Sequence, residues 1–223
     1  MGERFHSFLA GLFHLAPPRN VKNEWEEPFQ GAPSVFVVNH AGANGPIFMG
    51  SKFDGRKNCY FWIISDMFSR KDIPDYVRAD GWWKPGTRLE PLLSRVVPFA
   101  VSLVIPPVFN NVKAIPVYHD NRIINTFRQS VHVLKSGSNL VIFPEIPIGH
   151  STYKDNISDG WLHLGELWGR LTGEKLRIYP VYIDTKRRNI RIARPSVYDP
   201  KRTFEDQQKE IIPYVESIIR GRV

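Results

Sequence analysis

Two apolar runs in this chain end in residues suited to proton transfer. Val35-Phe36-Val37-Val38 leads directly into Asn39-His40, and Leu140-Val141-Ile142-Phe143 leads into Pro144-Glu145. Histidine is the side chain most easily poised for proton transfer near neutral pH. Open α/β sheets place their ligand sites at strand ends, which is where His40 falls. Taken alone, a single histidine is more often a hydrogen-bonded core residue. A carboxylate at a strand end is expensive to bury unpaired. Glu145 is therefore expected to orient His40, to bind a hydroxyl or to cap a backbone turn. A third segment, Ile115-Pro116-Val117-Tyr118-His119-Asp120-Asn121-Arg122, ends in polar and cationic groups. These could hold a phosphate. Asp120 or Asn121 could equally cap the next helix.

The elements that position these residues follow from periodicity. Val35 to Val38 and Leu140 to Phe143 read as buried strands, as does Ala114 to Tyr118. After His40, residues Gly42, Gly45 and Pro46 predict a loop leading into a short helix around Ile47-Phe48-Met49. A further apolar stretch runs from Tyr60 to Ile64, and residues 65–89 read as irregular. Residues 96–109 carry no charge but contain Pro98, Pro106 and Pro107. They are too short and proline-broken to span a bilayer, leaving a buried core helix or an interfacial segment. Ile123, Ile124, Phe127, Val131 and Leu134 predict one face of a helix stopped at Gly137. Trp161, Leu164, Trp168 and Leu171 predict the buried face of another, ending near Gly173. Ile178 to Ile183 and Asn189 to Ile192 read as a hairpin around Lys186-Arg187-Arg188. Phe204 to Ile219 reads as a docked amphipathic helix that Pro213 would confine or kink. At the other end, Phe5, Phe8, Leu9, Leu12, Phe13 and Ala16 give a helical stripe stopped by Pro17-Pro18, followed by a linker to Pro33. That stripe could dip into a bilayer interface or pack on the domain. Strands alternating with helices predict an α/β fold.

Composition narrows the partners. The 223 residues suffice for one domain with a sizeable core. A net charge of +8 points to an anionic partner, either nucleic acid or an anionic leaflet. The longest basic run is the triplet at 186–188, and no nucleic-acid-binding signature is present, so nucleic acid is not expected. Cys59 is the only cysteine, which excludes an intramolecular disulfide and a cysteine-rich zinc site. The N-terminus lacks the pattern of a cleaved signal. A cytoplasmic protein is expected, peripheral to the inner face of the membrane.

In this order, the segments resemble the phospholipid and glycerol acyltransferase family, which includes the 1-acylglycerol-3-phosphate acyltransferases. The family's first block is Asn-His, four residues, then Asp; Asn39-His40 matches, and Gly45 stands where the Asp would be, after Asn44. Its second block is a strand ending in Arg, which Ile115 to Arg122 resembles, with His119 at the usual Arg position. The third is Phe-Pro-Glu-Gly-Thr-Arg, matched by Phe143-Pro144-Glu145 before Ile146-Pro147-Ile148 departs from it. Ile178-Tyr179-Pro180-Val181 is similar to the fourth block, a strand with an embedded proline.

The resemblance covers about residues 33–200 and implies a single layered domain with a mixed, mostly parallel sheet flanked by helices. Residues 1–32 would be an amphipathic helix and linker, and 201–223 a C-terminal helix. It implies transfer of a fatty acyl group from acyl-CoA or acyl carrier protein to a lysolipid or similar hydroxyl or amine, at an anionic membrane surface. His40 would be the base and Glu145 the acceptor-binding or orienting group. Asn39, Asn44, Gly45, His119, Arg122, Phe143 and Pro144 would line the substrate. No metal or tightly held cofactor is implied. Without a carboxylate at position 45, Asn44, Glu145 or a loop carbonyl would have to orient the imidazole. Without the third-block Arg, Arg122 and Lys154 are the candidate phosphate ligands. The alternative is a catalytically inactive relative that binds lipids or acyl carriers.

Overall fold

A computed structural model describes residues 20–31, 33–41, 44–79, 86, 88–109, 113–145 and 157–221. The helix expected at residues 5–16 lies outside them, as do Gly42, Ile146-Pro147-Ile148 and Lys154.

Among the described residues, eight strands form one sheet: β1 (Lys22–Trp25), β2 (Ser34–Val38), β3 (Cys59–Ile64), β4 (Ala114–Val117), β5 (Asn139–Ile142), β6 (Leu176–Asp184), β7 (Asn189–Ile192) and β8 (Ser196–Tyr198). Their spatial order is β1-β7-β6-β2-β5-β3-β4, with β8 also paired to β6. Strands β6, β2, β5, β3 and β4 run parallel, whereas β7 and β8 run antiparallel to β6. The sheet is therefore mixed and mostly parallel, as expected. β2 and β5 are buried at every position, because each is covered on both faces and paired on both edges.

Six α-helices lie among the described residues: α1 (Asn44–Lys52), α2 (Ile73–Ala79), α3 (Glu90–Phe109), α4 (Ile123–Lys135), α5 (His163–Thr172) and α6 (Phe204–Ile219), of which α2 and α3 pack on each other in a cluster of their own. On one face, Val35, Val37, Leu140 and Ile142 pack with Val131 and Leu134 of α4, Leu164 and Trp168 of α5, and Ile211 and Val215 of α6. On the other, Phe36, Val38 and Val141 pack with Phe48 and Met49 of α1. Alternate residues along each strand thus serve opposite cores.

Helix ends follow local chemistry. Gly137 takes the left-handed conformation (φ 77°) after α4, and Gly173 (φ 73°) does so after α5. The Thr203 hydroxyl accepts from the Asp206 N–H and caps α6. On α5, a Cβ at Gly165 or Gly169 would meet the Tyr198 ring at 2.7 Å or Pro200 at 2.6 Å, so these glycines set how closely the helix lies on the segment beginning at β8.

Several expectations need correction. Residues 65–89 are not wholly irregular: they contain α2, whose Pro74 sits in the first turn, where a missing N–H breaks no helical bond. α3 begins at Glu90 and runs through Pro98, Pro106 and Pro107, and α6 likewise runs through Pro213. The stretch read as a linker to Pro33 contains β1, parallel to β7. Gly45 and Pro46 belong to the first turn of α1, not to a loop. Ile124 and Leu171 are exposed, at the outer margins of their helices. The 178–183 and 189–192 hairpin is present, its turn held by the Asp184 carboxylate accepting from the N–H groups of Lys186 and Arg187. Cys59 is a buried free thiol, and burial pushes its pKa up to about 12.

Candidate active site

The register that pairs Val35 with Leu140 and Val37 with Ile142 sets His40 opposite Glu145 when carried three residues onward. Both residues emerge at the carboxyl ends of adjacent parallel strands. From β2 the chain leaves through α1 toward β3 on one face of the sheet; from β5 it leaves through α5 toward β6 on the other. The carboxyl ends of parallel strands are the usual ligand position in open α/β sheets.

The two segments are tied directly. Glu145 Oε2 accepts from the His40 backbone N–H at 2.8 Å, and Glu145 is only 7% exposed. This bond grips the main chain, so it fixes the end of β2 against the end of β5. The Phe143 and His40 rings meet edge to face at 5.4 Å. Beyond Glu145 the chain is held by an antiparallel bridge to Ile157, and the Ser158 N–H donates to the Pro144 carbonyl at 2.9 Å.

Asn39 is buried and works as a piece of β-ladder. Its Oδ1 accepts from the Ile183 N–H at 2.6 Å and its Nδ2 donates to the Ile183 carbonyl at 3.2 Å. The side chain thus continues the β2–β6 pairing one step past Val38 and fixes where His40 begins. Ala41 then takes a left-handed conformation (φ 46°) without being glycine, which costs about 1–2 kcal/mol. Strain of this kind concentrates at functional sites.

Gly45 closes the turn. Its N–H donates to the His40 carbonyl at 2.9 Å, and a Cβ built on it would lie 2.1 Å from that oxygen and 2.7 Å from the carbonyl carbon. Nothing larger than hydrogen fits. The missing carboxylate at position 45 therefore belongs to a reorganised strand–helix junction. Asn44 opens α1, and its side chain lies outside the described residues.

The third segment lies apart. β4 is three strand positions from β2, about 14 Å across the sheet. Arg122 spends its guanidinium on Asp120, with Nε 3.0 Å from both carboxylate oxygens and Nη2 2.7 Å from Oδ2, and it stacks over the Tyr118 ring at 4.5 Å. Asp120 Oδ1 also accepts from the Arg122 N–H and closes the turn into α4. The Arg122 bonds hold the Asp120 carboxyl below its ordinary range. His119 is exposed beside them.

The structure thus brings Asn39, His40, Gly45, Phe143, Pro144 and Glu145 together and leaves His119 and Arg122 at the far strand. Sequence reasoning missed Ile183, whose main chain holds Asn39; a backbone partner 144 residues away leaves no local signal. It also missed the grip of Asp120 on Arg122, although the i, i+2 spacing of opposite charges could have suggested it. Among the described residues, no group of three or more His, Cys, Asp or Glu is arranged to hold a metal ion.

No family model matches this chain, and no curated protein matches it. Among solved structures, it is similar to the 1-acyl-sn-glycerophosphate (LPA) acyltransferase PlsC from Thermotoga maritima. The TM-score is 0.47 at 16% identity, covering 98% of this chain and 77% of that one. At that distance no role passes from one chain to the other.

Proposed function

We propose that this protein is an acyltransferase that moves a fatty acyl group from a thioester, acyl-CoA or acyl carrier protein, to a lysolipid or lipid-like hydroxyl or amine. The observation that carries this reading is the His40–Glu145 pair at the carboxyl ends of the adjacent strands β2 and β5, joined by the 2.8 Å bond.

In the proposed reaction, the His40 imidazole removes the acceptor proton as the acceptor oxygen or nitrogen attacks the thioester carbonyl. The tetrahedral intermediate expels the thiolate, which takes the proton back from the imidazolium. An ester or amide and a free thiol result. Glu145 supplies the one carboxylate of the constellation, positioning the His40 main chain and favouring the imidazolium by its charge. Phe143 restricts the ring, Asn39 positions the strand end, and Gly45 lets α1 start against it. Pro144 stands beside Glu145 at the end of β5, and Asn44 opens α1. His119 and Arg122 stand at the end of β4, with the guanidinium committed to Asp120, and would add little to acceptor binding.

The deciding assay measures thioester consumption by purified protein with a mixed lysolipid pool, followed by mass spectrometry of the product. Wild type should turn over, and His40→Ala should lose about 10²–10⁴ in rate with an unchanged melt. Near-wild-type turnover by His40→Ala would defeat the mechanism. A second reading, a non-catalytic binder of lipids or acyl carriers, is favoured by one feature: the Gly45 junction excludes a carboxylate there. Thioester or lysolipid bound but never consumed would establish it.

A further inference from the structure

α3 is a twenty-residue helix, about 30 Å long, and most of its residues are apolar. One side is accounted for: Val101 and Ile105 pack on Ile73 and Val77 of α2. The other is not. Leu89, just before the helix, and Leu92, Val96, Phe99 and Leu103 are each 46–64% exposed. Their spacing of three, four, three and four residues aligns them in one stripe. A surface helix of a globular protein ordinarily carries charged and polar residues there. Here the only charged residue on the exposed side of the helix is Arg95, since Glu90 is half-buried with Oε2 accepting from the Gly86 N–H. Exposed hydrophobic residues scattered singly mean little, but a contiguous stripe marks a surface that meets something apolar.

We propose that this stripe is a membrane-docking face, with α3 lying in the plane of an anionic bilayer and its five apolar side chains seated among the acyl chains. Charge selects the anionic surface. Arg88 and Arg95 are exposed along the stripe, and among the described residues no exposed acid lies on it; in the turn before α2, Arg70 and Lys71 are exposed together with Asp72, leaving that turn one positive charge in excess. A second helix of this chain fits less well. Coiled-coil seams are bordered by ionic positions that pair across the interface, whereas the exposed neighbours here include Pro91, Ala100 and Pro107. Among the described residues no helix is long and apolar enough to cross a membrane, so α3 lies on the surface and does not span it. It also packs on the one-turn helix Ser65–Phe68 at the carboxyl end of β3, the sheet edge that carries His40 and Glu145. A lipid acceptor would then enter from the surface the protein rests on. The choice of a lipid partner rests in part on the function proposed above. Vesicle binding is read without turnover, so either idea can fail alone.

The test uses the full chain with Phe99→Cys carrying an environment-sensitive fluorophore. Cys59 is buried, so the label goes to position 99. Vesicles of phosphatidylcholine with phosphatidylglycerol should shift the emission to the blue, and lipids brominated high in the acyl chain should quench it. Phosphatidylcholine alone should do less. Leu92→Ser with Leu103→Ser should weaken partitioning about tenfold or more with the melt unchanged. A label that stays in water on vesicle-bound protein would overturn the proposal, because another surface would be docking. So would absence of binding, or a label buried without lipid in a concentration-dependent dimer.

Discussion

Adding one carbon at Gly45 tests the junction most directly. The built Cβ lies 2.1 Å from the His40 carbonyl oxygen, and both groups are main chain, so no side-chain rotation relieves the contact. Either α1 shifts or the His40 carbonyl turns away, and the 2.9 Å bond from the Gly45 N–H is lost with it. Overpacking typically costs about 1–3 kcal/mol and a hydrogen bond about 1 kcal/mol more, so Gly45→Ala should destabilise by about 2–4 kcal/mol. For a chain of this size that is a fall of about 5–15 °C in Tm. Gly45→Asp writes a carboxylate at the position where the resemblance expects one, and it should be at least as destabilised without gaining turnover. Thermal unfolding followed by circular dichroism, paired with the thioester assay, reads both quantities. If Gly45→Asp melted like wild type and turned over faster, the junction would have room for a carboxylate and the steric argument would fail.

Asn39→Ala should cost about 2–4 kcal/mol by stranding the buried Ile183 N–H and carbonyl; a melt within 2 °C of wild type, roughly, would contradict the ladder role. Glu145→Gln retains an oxygen for the His40 N–H, so it should keep most of the stability while losing about tenfold or more in kcat. Glu145→Ala should lose both, about 1.5–3 kcal/mol of stability included, and an Ala variant that melts and turns over normally would remove Glu145 from the site. Lysophosphatidic acid should be a poor acceptor, and Arg122→Ala should change its KM less than about threefold, because Asp120 already holds the guanidinium. If it were the best acceptor and its KM rose strongly in Arg122→Ala, Arg122 would be the phosphate ligand.

The sheet's centre was legible in the sequence because β2 and β5 are buried on both faces, so that Val35-Phe36-Val37-Val38 and Leu140-Val141-Ile142-Phe143 read as continuous apolar runs. The outer strands were not. β1 is Lys-Asn-Glu-Trp, half exposed at an edge, and β8 is three residues long, too short for any period to show. α2 was hidden for the same reason, with seven residues and a proline near its start. At the site, residue types and strand ends located His40 and Glu145. Asn39 read as a group facing substrate, yet its amide is engaged by the main chain of Ile183 on the neighbouring strand β6, 144 residues away in sequence. Gly45 read as a missing carboxylate, whereas what matters there is how closely two stretches of backbone approach, a quantity that residue identity alone does not encode.

The strand order also dictates when the molecule can assemble. Val35 of the central strand pairs with Leu140 on one side and Ile178 on the other, each more than a hundred residues later in the chain. β1, earlier still, waits for residues 189–192. During synthesis this apolar strand therefore emerges without either neighbour and stays unpaired while more than a hundred further residues are made. Pairings this remote close large loops before they are rewarded, so the sheet forms late and slowly. Val35-Phe36-Val37-Val38 is, for that interval, the segment most exposed to pairing with another nascent chain.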